Sequence, residues 1–219
     1  MNIAIDGPAG AGKSSIAKLV AKDMDFIYVD TGAMFRAMAY YFLSNGVDPR
    51  DEDAVSSKCP QIRIRIEYEE GVQHIYLNDE DVSTEIRREE VGKNASVIAA
   101  YPAIRTKLLE LQRAMAAEND VIMDGRDIGT VVLPDAEAKI FLTASSRVRA
   151  ERRFKELQEK GVDCDLDQIE EDIIERDKQD MSREIAPLKQ AEDAVFVDTS
   201  YMSIEEVVAT IREIAESKR

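Results

Sequence analysis

The sequence predicts an α/β fold in which helices cover both faces of a parallel sheet. Three observations support this: short apolar segments rich in β-branched and aromatic residues, helical patterns between them, and a glycine-rich loop after the first segment. Buried parallel strands have this continuous apolar character. Strands that alternate with helices usually pair in parallel. The 219 residues fit one such domain with small inserted modules.

The expected elements follow one another along the chain. Apolar segments too short for helices predict strands at residues 3–6, 26–30, 121–124, 140–143 and 195–198. Helical patterns occupy residues 14–22, 33–43, 101–117 and the stretch after Ser203. That last helix carries apolar residues at i, i+3, i+4 and i+7 spacing, and Ser203 and Glu206 at its start have the spacing of a capping box.

One segment departs from this alternation. Apolar and charged residues alternate over 62–68, a glycine turn lies at 69–72, and 74–78 return as a second strand. We therefore expect an antiparallel hairpin within residues 58–84, inserted into the α/β domain. An ordinary edge hairpin without a functional part also fits this pattern.

Charge and composition exclude several classes. The 44 acidic and 29 basic residues give a net charge of −15, which argues against a nucleic-acid binder that relies on a broad basic surface. Small polyanionic substrates remain open, because local arginines can oppose the global sign. Cys59 and Cys164 lie outside any CxxC pattern, and His74 is the only histidine, so neither a disulfide framework nor a multi-histidine metal site is expected. No apolar run approaches the ~20 residues that span a bilayer, and no secretory signal pattern is visible. We expect a cytoplasmic protein.

The strongest motif is a phosphate-binding loop that matches G-x-x-x-x-G-K-S/T between a strand and a helix. Its glycines allow backbone N–H groups to turn towards a phosphate, and the start of the helix adds a positive dipole end. Lys13 would reach the β- and γ-oxygens of a nucleotide, and the Ser14 hydroxyl would bind Mg²⁺. The residues expected to bind the nucleotide phosphates here are Gly7, Pro8, Ala9, Gly10, Ala11, Gly12, Lys13, Ser14 and Ser15.

This loop indicates a nucleotide and leaves the reaction open. The N-K-x-D motif of GTPases and the signature of ABC-type ATPases are both absent from the sequence. Small kinases instead gather arginines around the acceptor phosphate and the transferred group. The chain offers Arg36, Arg105, Arg126, Arg149, Arg152, Arg153, Arg176 and Arg183. A solvated surface position fits any single one, and especially Arg149, Arg152 and Arg153 in a charged helix.

Three motifs together resemble the bacterial cytidylate kinase family, a group of P-loop nucleoside monophosphate kinases. They are residues 3–14, residues 30–36 (DTGAMFR) and residues 124–132 (DGRDIGTVV). Residues 83–87 and 183–188 are also similar to that family, so the resemblance spans nearly the whole chain. One departure is visible: Phe35 stands where the family often has tyrosine.

The resemblance implies a five-stranded parallel sheet, an inserted antiparallel sheet in a mobile monophosphate-binding region, and a short LID. We expect a CORE with the P-loop at 1–57, the inserted hairpin at 58–84, the monophosphate-binding helices and CORE at 85–145, the LID at 146–164, and CORE again at 165–219. It further implies ATP-dependent, Mg²⁺-assisted phosphorylation of CMP and dCMP by a monomer. Small nucleotides are the expected partners, with no nucleic-acid polymer and no membrane.

Residue roles carry over from the family by position. Lys13, Arg126, Arg176 and Arg183 would be catalytic, Arg36 and Arg126 would bind the CMP phosphate, and Arg152 in the LID would contact adenine. The base would be bound by Thr31, Arg105, Asp127 and Arg183, and the sugar by Ser96, Arg176 and Asp180. For Asp180, a simple Arg176–Asp180 ion pair on one helix is an open alternative.

The chemistry of cytosine fits these assignments. Its N4 amino group donates to a carboxylate such as Asp127, whereas uracil would present a carbonyl there and be repelled. Asp124 ends an apolar strand as a Walker-B carboxylate does and would order Mg²⁺-bound water; a capping or arginine-paired aspartate is the alternative. No general base is needed, because the acceptor phosphate is already anionic.

Two other functions remain open on the sequence. One is another P-loop small-molecule kinase, such as an adenylate or shikimate kinase. The other is a non-catalytic module that holds ATP as a switch, against which the acceptor-side arginines count.

Overall fold

The computed structural model describes residues 1–69 and 72–219. In chain order its strands are β1 (Asn2–Asp6), β2 (Ile27–Asp30), β3 (Ile64–Glu69), β4 (Val72–Leu77), β5 (Glu80–Asp81), β6 (Val121–Gly125), β7 (Ala138–Thr143) and β8 (Val195–Asp198). The α-helices are α1 (Lys13–Met24), α2 (Thr31–Ser44), α3 (Glu52–Lys58), α4 (Glu89–Ile98), α5 (Pro102–Glu118), α6 (Ser146–Glu159), α7 (Leu166–Met181) and α8 (Ile204–Glu216).

These elements fall into two units. The first unit comprises Met1–Phe26 and Val121–Arg219, and the second comprises Ile27–Asp120. Four strands of the large sheet, in the order β6-β1-β7-β8, belong to the first unit, and its fifth strand, β2, is counted in the second. The pairs β1–β6, β1–β7 and β7–β8 are parallel. The predicted five-stranded parallel sheet with surrounding helices is confirmed.

The first unit buries β1 at its centre. Ile3, Ala4 and Ile5 are fully buried, with Ile3 opposite Ile122 on one side and Ala138 on the other. Helices α1 and α8 pack against each other and against this sheet. The predicted capping box at the start of α8 is present, because the Ser203 hydroxyl accepts from the Glu206 N–H and the Glu206 carboxylate accepts from the Ser203 N–H.

The second unit contains the inserted sheet. Strands β3, β4 and β5 form an antiparallel sheet in that order, with Ile64 opposite Leu77 and Ile66 opposite Ile75. The predicted hairpin is confirmed, and the short β5 adds a third strand. Of its expected turn, Glu70 and Gly71 lie outside the described residues. Helix α2 packs against β4, α4 and α5.

Among the described residues, no helix combines the length and the apolar character that crossing a lipid bilayer requires.

Candidate active site

The glycine-rich loop leaves β1 at Gly7 and enters α1 at Lys13. Gly7 has φ 149°, and a Cβ at this position would lie 1.9 Å from the carbonyl oxygen of Leu142 on β7. Gly12 is left-handed, with φ 87°. Other residues are strained in these conformations. The loop therefore needs glycine at these two positions, as the motif predicts, and it leads directly into the N-terminus of α1.

Lys13 is buried in the first turn of α1, with its side chain bent back over the loop. Its Nζ donates to the carbonyl oxygen of Pro8 at 2.8 Å. Burial, followed by the nearby positive charge of Arg126, lowers the pKa of Lys13 to about 7, although Asp124 and Asp6 oppose this shift. A bound polyphosphate would supply the negative charge that this site lacks for a buried ammonium group.

Ser14 and Asp124 are 110 residues apart in sequence and in direct contact in the structure. The Ser14 hydroxyl donates to Oδ2 of Asp124 at 2.9 Å. Asp124 lies on β6 and is only 5% exposed. The contact places a hydroxyl oxygen and a carboxylate oxygen side by side at the start of α1. Ser15, in the same turn, is exposed.

Arg126 and Arg183, both half-buried, form a cluster around the buried Asp180. The Nε of Arg126 donates to Oδ2 of Asp180 at 2.9 Å, and Nη2 of Arg183 donates to Oδ1 at 2.5 Å. Asp180 is 1% exposed, and although burial alone would raise its pKa, the two guanidinium groups hold it below the usual value. Both carboxylate oxygens therefore orient arginines. Arg176 lies one turn earlier on α7, and its charge also acts on Asp180.

Asp127 is buried at the start of an unusual turn. Residues Ile128–Val132 form a single π-helical turn, in which the Leu133 N–H donates to the Ile128 carbonyl at 2.7 Å. The Asp127 carbonyl accepts from the N–H groups of Val131 and Val132. Such turns are rare and concentrate at functional sites.

The three arginines of α6 have different surroundings. Arg149 is 5% exposed, which removes the alternative of a solvated surface position for it. It forms a two-bond ion pair with Asp177 and donates to the carbonyl oxygen of Ala9 in the loop at 3.0 Å. Arg152 donates to the Thr199 carbonyl at 2.9 Å, and its Nη1 lies 4.0 Å from where a Cβ on Gly12 would be. Arg153 pairs with Glu156 near the surface.

In the second unit, Arg36 is held beside the start of α2. Its Nη2 donates to Oδ2 of Asp30 at 3.0 Å, while Oδ1 of Asp30 caps the helix by accepting from the Ala33 N–H. A Cβ on Gly32 would lie 3.1 Å from Nη1 of Arg36. Glycine therefore lets the guanidinium group lie against the helix start. Thr31 is buried at the same turn.

Arg105 and Ser96 lie on neighbouring helices of the same unit. The Nε of Arg105 donates to the Ala99 carbonyl at 2.7 Å, and its guanidinium carbon is 5.6 Å from the centre of the Phe35 ring. The residue that departs from the family pattern is thus in cation–π contact with a predicted base-binding residue. Ser96 is half-buried on α4.

Several residues that support these groups were not found by sequence reasoning. Four of them accept hydrogen bonds from the predicted arginines or from nearby backbone, and the fifth, a glycine, leaves room for a guanidinium group. They are Asp6, Asp30, Gln73 and Asp177, and Gly32. Asp6, Asp30 and Gly32 lie inside quoted motifs, which were the only signal available for them. The first unit brings together Lys13, Ser14, Asp124, Arg126, Asp180 and Arg183.

Comparison with known proteins gives a consistent result. The cytidylate kinase family model matches residues 3–217. Cytidylate kinase from Lactobacillus johnsonii is 52% identical over all of this chain and 95% of its own length, and that from Listeria welshimeri is 53% identical over 99% of this chain and 96% of its own. A crystal structure of an uncharacterized protein from Eubacterium ventriosum shares the fold, with a TM-score of 0.55, 12% identity and 99% coverage of both chains.

Proposed function

Because the chain belongs to the cytidylate kinase family, we propose that it transfers the γ-phosphoryl group of ATP to CMP and dCMP with the help of Mg²⁺. The single observation that carries this proposal is the contact between Ser14 and Asp124 beside the buried Lys13, an arrangement that suits a nucleotide phosphate and its Mg²⁺ at the end of β1. The acidic chain is expected to act on small nucleotides, as a monomer in the cytoplasm.

The donor nucleotide is assigned to the loop from Gly7 to Ser15. Its backbone N–H groups and the N-terminus of α1 favour an anion, and Lys13 would exchange the Pro8 carbonyl for phosphate oxygens. Arg149 supports this loop through the Ala9 carbonyl. Arg152, beside Gly12, is assigned to ATP in the proposed LID at residues 146–164.

The residues beside the loop suit Mg²⁺. The ion prefers oxygen ligands and usually keeps several waters, so it needs only one or two protein groups together with the nucleotide phosphates. Ser14 would bind it directly and Asp124 through water, which their 2.9 Å contact supports. When bound, Mg²⁺ neutralises charge on the β- and γ-phosphates.

The acceptor is assigned by its chemistry. Arg36 and Arg126 suit the CMP phosphate, since guanidinium groups bind phosphate with two hydrogen bonds. Asp127 would accept from the cytosine N4 amino group, with Thr31, Arg105 and Arg183 completing the base site. Ser96, Arg176 and Asp180 are assigned to the sugar. Since both oxygens of Asp180 already accept from arginines, a sugar hydroxyl would share one of them.

Catalysis here rests on alignment and charge neutralisation. Lys13, Arg126, Arg176 and Arg183 would face the negative charge that spreads over the transferred group, as positive groups do in phosphoryl transfer generally. The acceptor phosphate is itself the nucleophile, so no side chain has to remove a proton.

A panel of acceptors tests the proposal. CMP, dCMP, UMP, AMP and shikimate are each incubated with ATP, Mg²⁺ and the protein, and ADP formation is followed. We expect CMP and dCMP to have kcat/KM values at least about a hundredfold above those of the others, because a hydrogen-bonding base site discriminates strongly. Turnover of AMP or shikimate in preference to CMP, or ATP binding without any acceptor phosphorylation, would contradict it.

A further inference from the structure

Asp6 makes a long-range contact that the proposed chemistry does not use. It is the last residue of β1 and directly precedes the glycine-rich loop. Its Oδ1 accepts from the N–H of Ile128 and its Oδ2 from the N–H of Gly129, both at 2.7 Å. Asp6 is 4% exposed. Both carboxylate oxygens thus accept hydrogen bonds from the backbone of the π-helical turn at Ile128–Val132.

Gly129 allows this contact to form. A Cβ at this position would lie 3.3 Å from Oδ2 of Asp6 and 3.2 Å from Cδ of Lys139. Lys139 is fixed in turn, because its Nζ donates to both carboxylate oxygens of Asp193. A Cβ at residue 129 would therefore crowd both side chains, and one of them would have to move by a few tenths of an ångström to admit it.

The contact fixes the residue that precedes the turn. The first N–H groups of a helical turn have no partner within the turn itself. Asp6 supplies partners for two of them, while the Asp127 carbonyl closes the turn by accepting from Val131 at 2.9 Å. With its carbonyl tied to the turn and the next two N–H groups tied to β1, the backbone of Asp127 has little freedom.

We propose that Asp6 is a positioning residue for acceptor recognition: through the backbone of Ile128 and Gly129 it holds Asp127 in place to read the base. This inference rests on the proposed function, which assigns Asp127 to cytosine. Since Asp6 also directly precedes the nucleotide loop, the same strand end would set the position of both the donor loop and the base-reading carboxylate.

Steady-state kinetics of Asp6→Asn and Asp6→Ala with CMP and UMP test this role. Asparagine keeps one accepting oxygen and alanine keeps none, so the CMP-to-UMP ratio of kcat/KM should fall at least about tenfold in Asp6→Ala and by an intermediate factor in Asp6→Asn. A lower rate with an unchanged ratio would overturn the proposal, since it would indicate a purely structural role. Asp23→Asn is the matched control, because Asp23 is an exposed aspartate on α1 of the same unit; its ratio should stay within about twofold of the parent.

A variant at a different residue tests the proposal even if the Asp6 variants do not fold. Gly129→Ala keeps the Asp6 carboxylate but crowds its Oδ2 with a methyl group at 3.3 Å, so the two amide hydrogen bonds should weaken and the same ratio should fall. If Gly129→Ala folds and keeps the parent ratio, the proposal fails even if the Asp6 variants are insoluble. Failure of the proposed function is distinguishable, because the parent protein would then show no preference for CMP.

Discussion

The side chain of Gln73 forms two hydrogen bonds with the backbone of Asp30. Its amide oxygen accepts from the Asp30 N–H at 2.9 Å, and its amide nitrogen donates to the Asp30 carbonyl at 3.4 Å. Asp30 in turn caps α2 and binds Arg36. Gln73 on strand β4 therefore supports Asp30, which orients Arg36, a proposed phosphate ligand. This link gives the inserted sheet a part in the proposed site, contrary to the alternative of an edge hairpin without a function.

Gln73→Ala is expected to raise the KM for CMP about two- to tenfold, the effect of losing a neutral hydrogen bond, while the KM for ATP stays within about twofold. Arg36→Met, which removes the proposed phosphate ligand itself, should raise the acceptor KM further or lower kcat. Gln61→Ala is the control, because Gln61 is an exposed residue of the same unit. Equal effects of Gln73→Ala on both substrates would contradict a specific role in acceptor binding.

Lys13→Ala should lower kcat for CMP phosphorylation by roughly 10²–10³-fold or more, because it removes a preorganised positive group from the transferred phosphates. Circular dichroism should show an unchanged fold. Lys22→Ala, an exposed lysine on the same helix, provides the control and should retain parent activity. Near-parent turnover by Lys13→Ala would show that the loop does not bind the donor.

Asp127→Asn should erode the preference for CMP over UMP at least about tenfold, since an amide group can pair with either the amino group of cytosine or the carbonyl of uracil. The measurement is the ratio of kcat/KM values for the two acceptors. Asp135→Asn, an exposed aspartate in the following turn, should leave the ratio as it is in the parent. A ratio that Asp127→Asn does not change would remove Asp127 from the base site.

Arg149→Met should lower the free energy of unfolding by about 3–5 kcal/mol, because it leaves the Asp177 carboxylate without its ion-pair partner in a largely buried position. Arg153→Met, on the same helix, breaks only a surface pair and should cost less than about 1 kcal/mol. Urea denaturation of both variants checks the difference. Similar losses of stability would mean that burial of Arg149 contributes little.

The Asp6 carboxyl gives a pH dependence with a defined sign. Burial, with a smaller contribution from the negative charge of Asp127, raises the pKa of Asp6 to about 7. The two amide hydrogen bonds and the positive charge of Lys13 oppose this rise. The folded state therefore holds a proton that the unfolded state releases near pH 4, and the stability from this group is lost as pH rises towards 7.

Between pH 5 and pH 7.5 the parent should lose roughly 2–3 kcal/mol of unfolding free energy relative to Asp6→Asn, whose side chain does not titrate. Urea denaturation of both proteins at the two pH values gives the difference and cancels the other titrating groups. Parallel pH profiles would show that the Asp6 carboxyl titrates at its ordinary pKa in the folded protein.

The sequence predicted features that depend on residue types at short, fixed spacings. The loop from Gly7 to Ser14 and the capping box at Ser203 depend on neighbouring residues, and both were predicted. Helix α7 was not among the predicted helices, although apolar residues recur at helical spacing over 166–173. Charged residues dominate this segment, and Asp180 is the only residue that α7 buries. The two partners of Asp6 are 122 and 123 residues away in sequence, so no local pattern could have paired them.

Product analysis by ³¹P NMR, with ATP, Mg²⁺ and CMP as the only nucleotides, tests phosphoryl transfer to CMP most directly. We expect CDP and ADP to appear in equal amounts, with no inorganic phosphate beyond that of slow background hydrolysis. ADP and inorganic phosphate without CDP, or no consumption of ATP, would contradict the assignment of CMP as the acceptor.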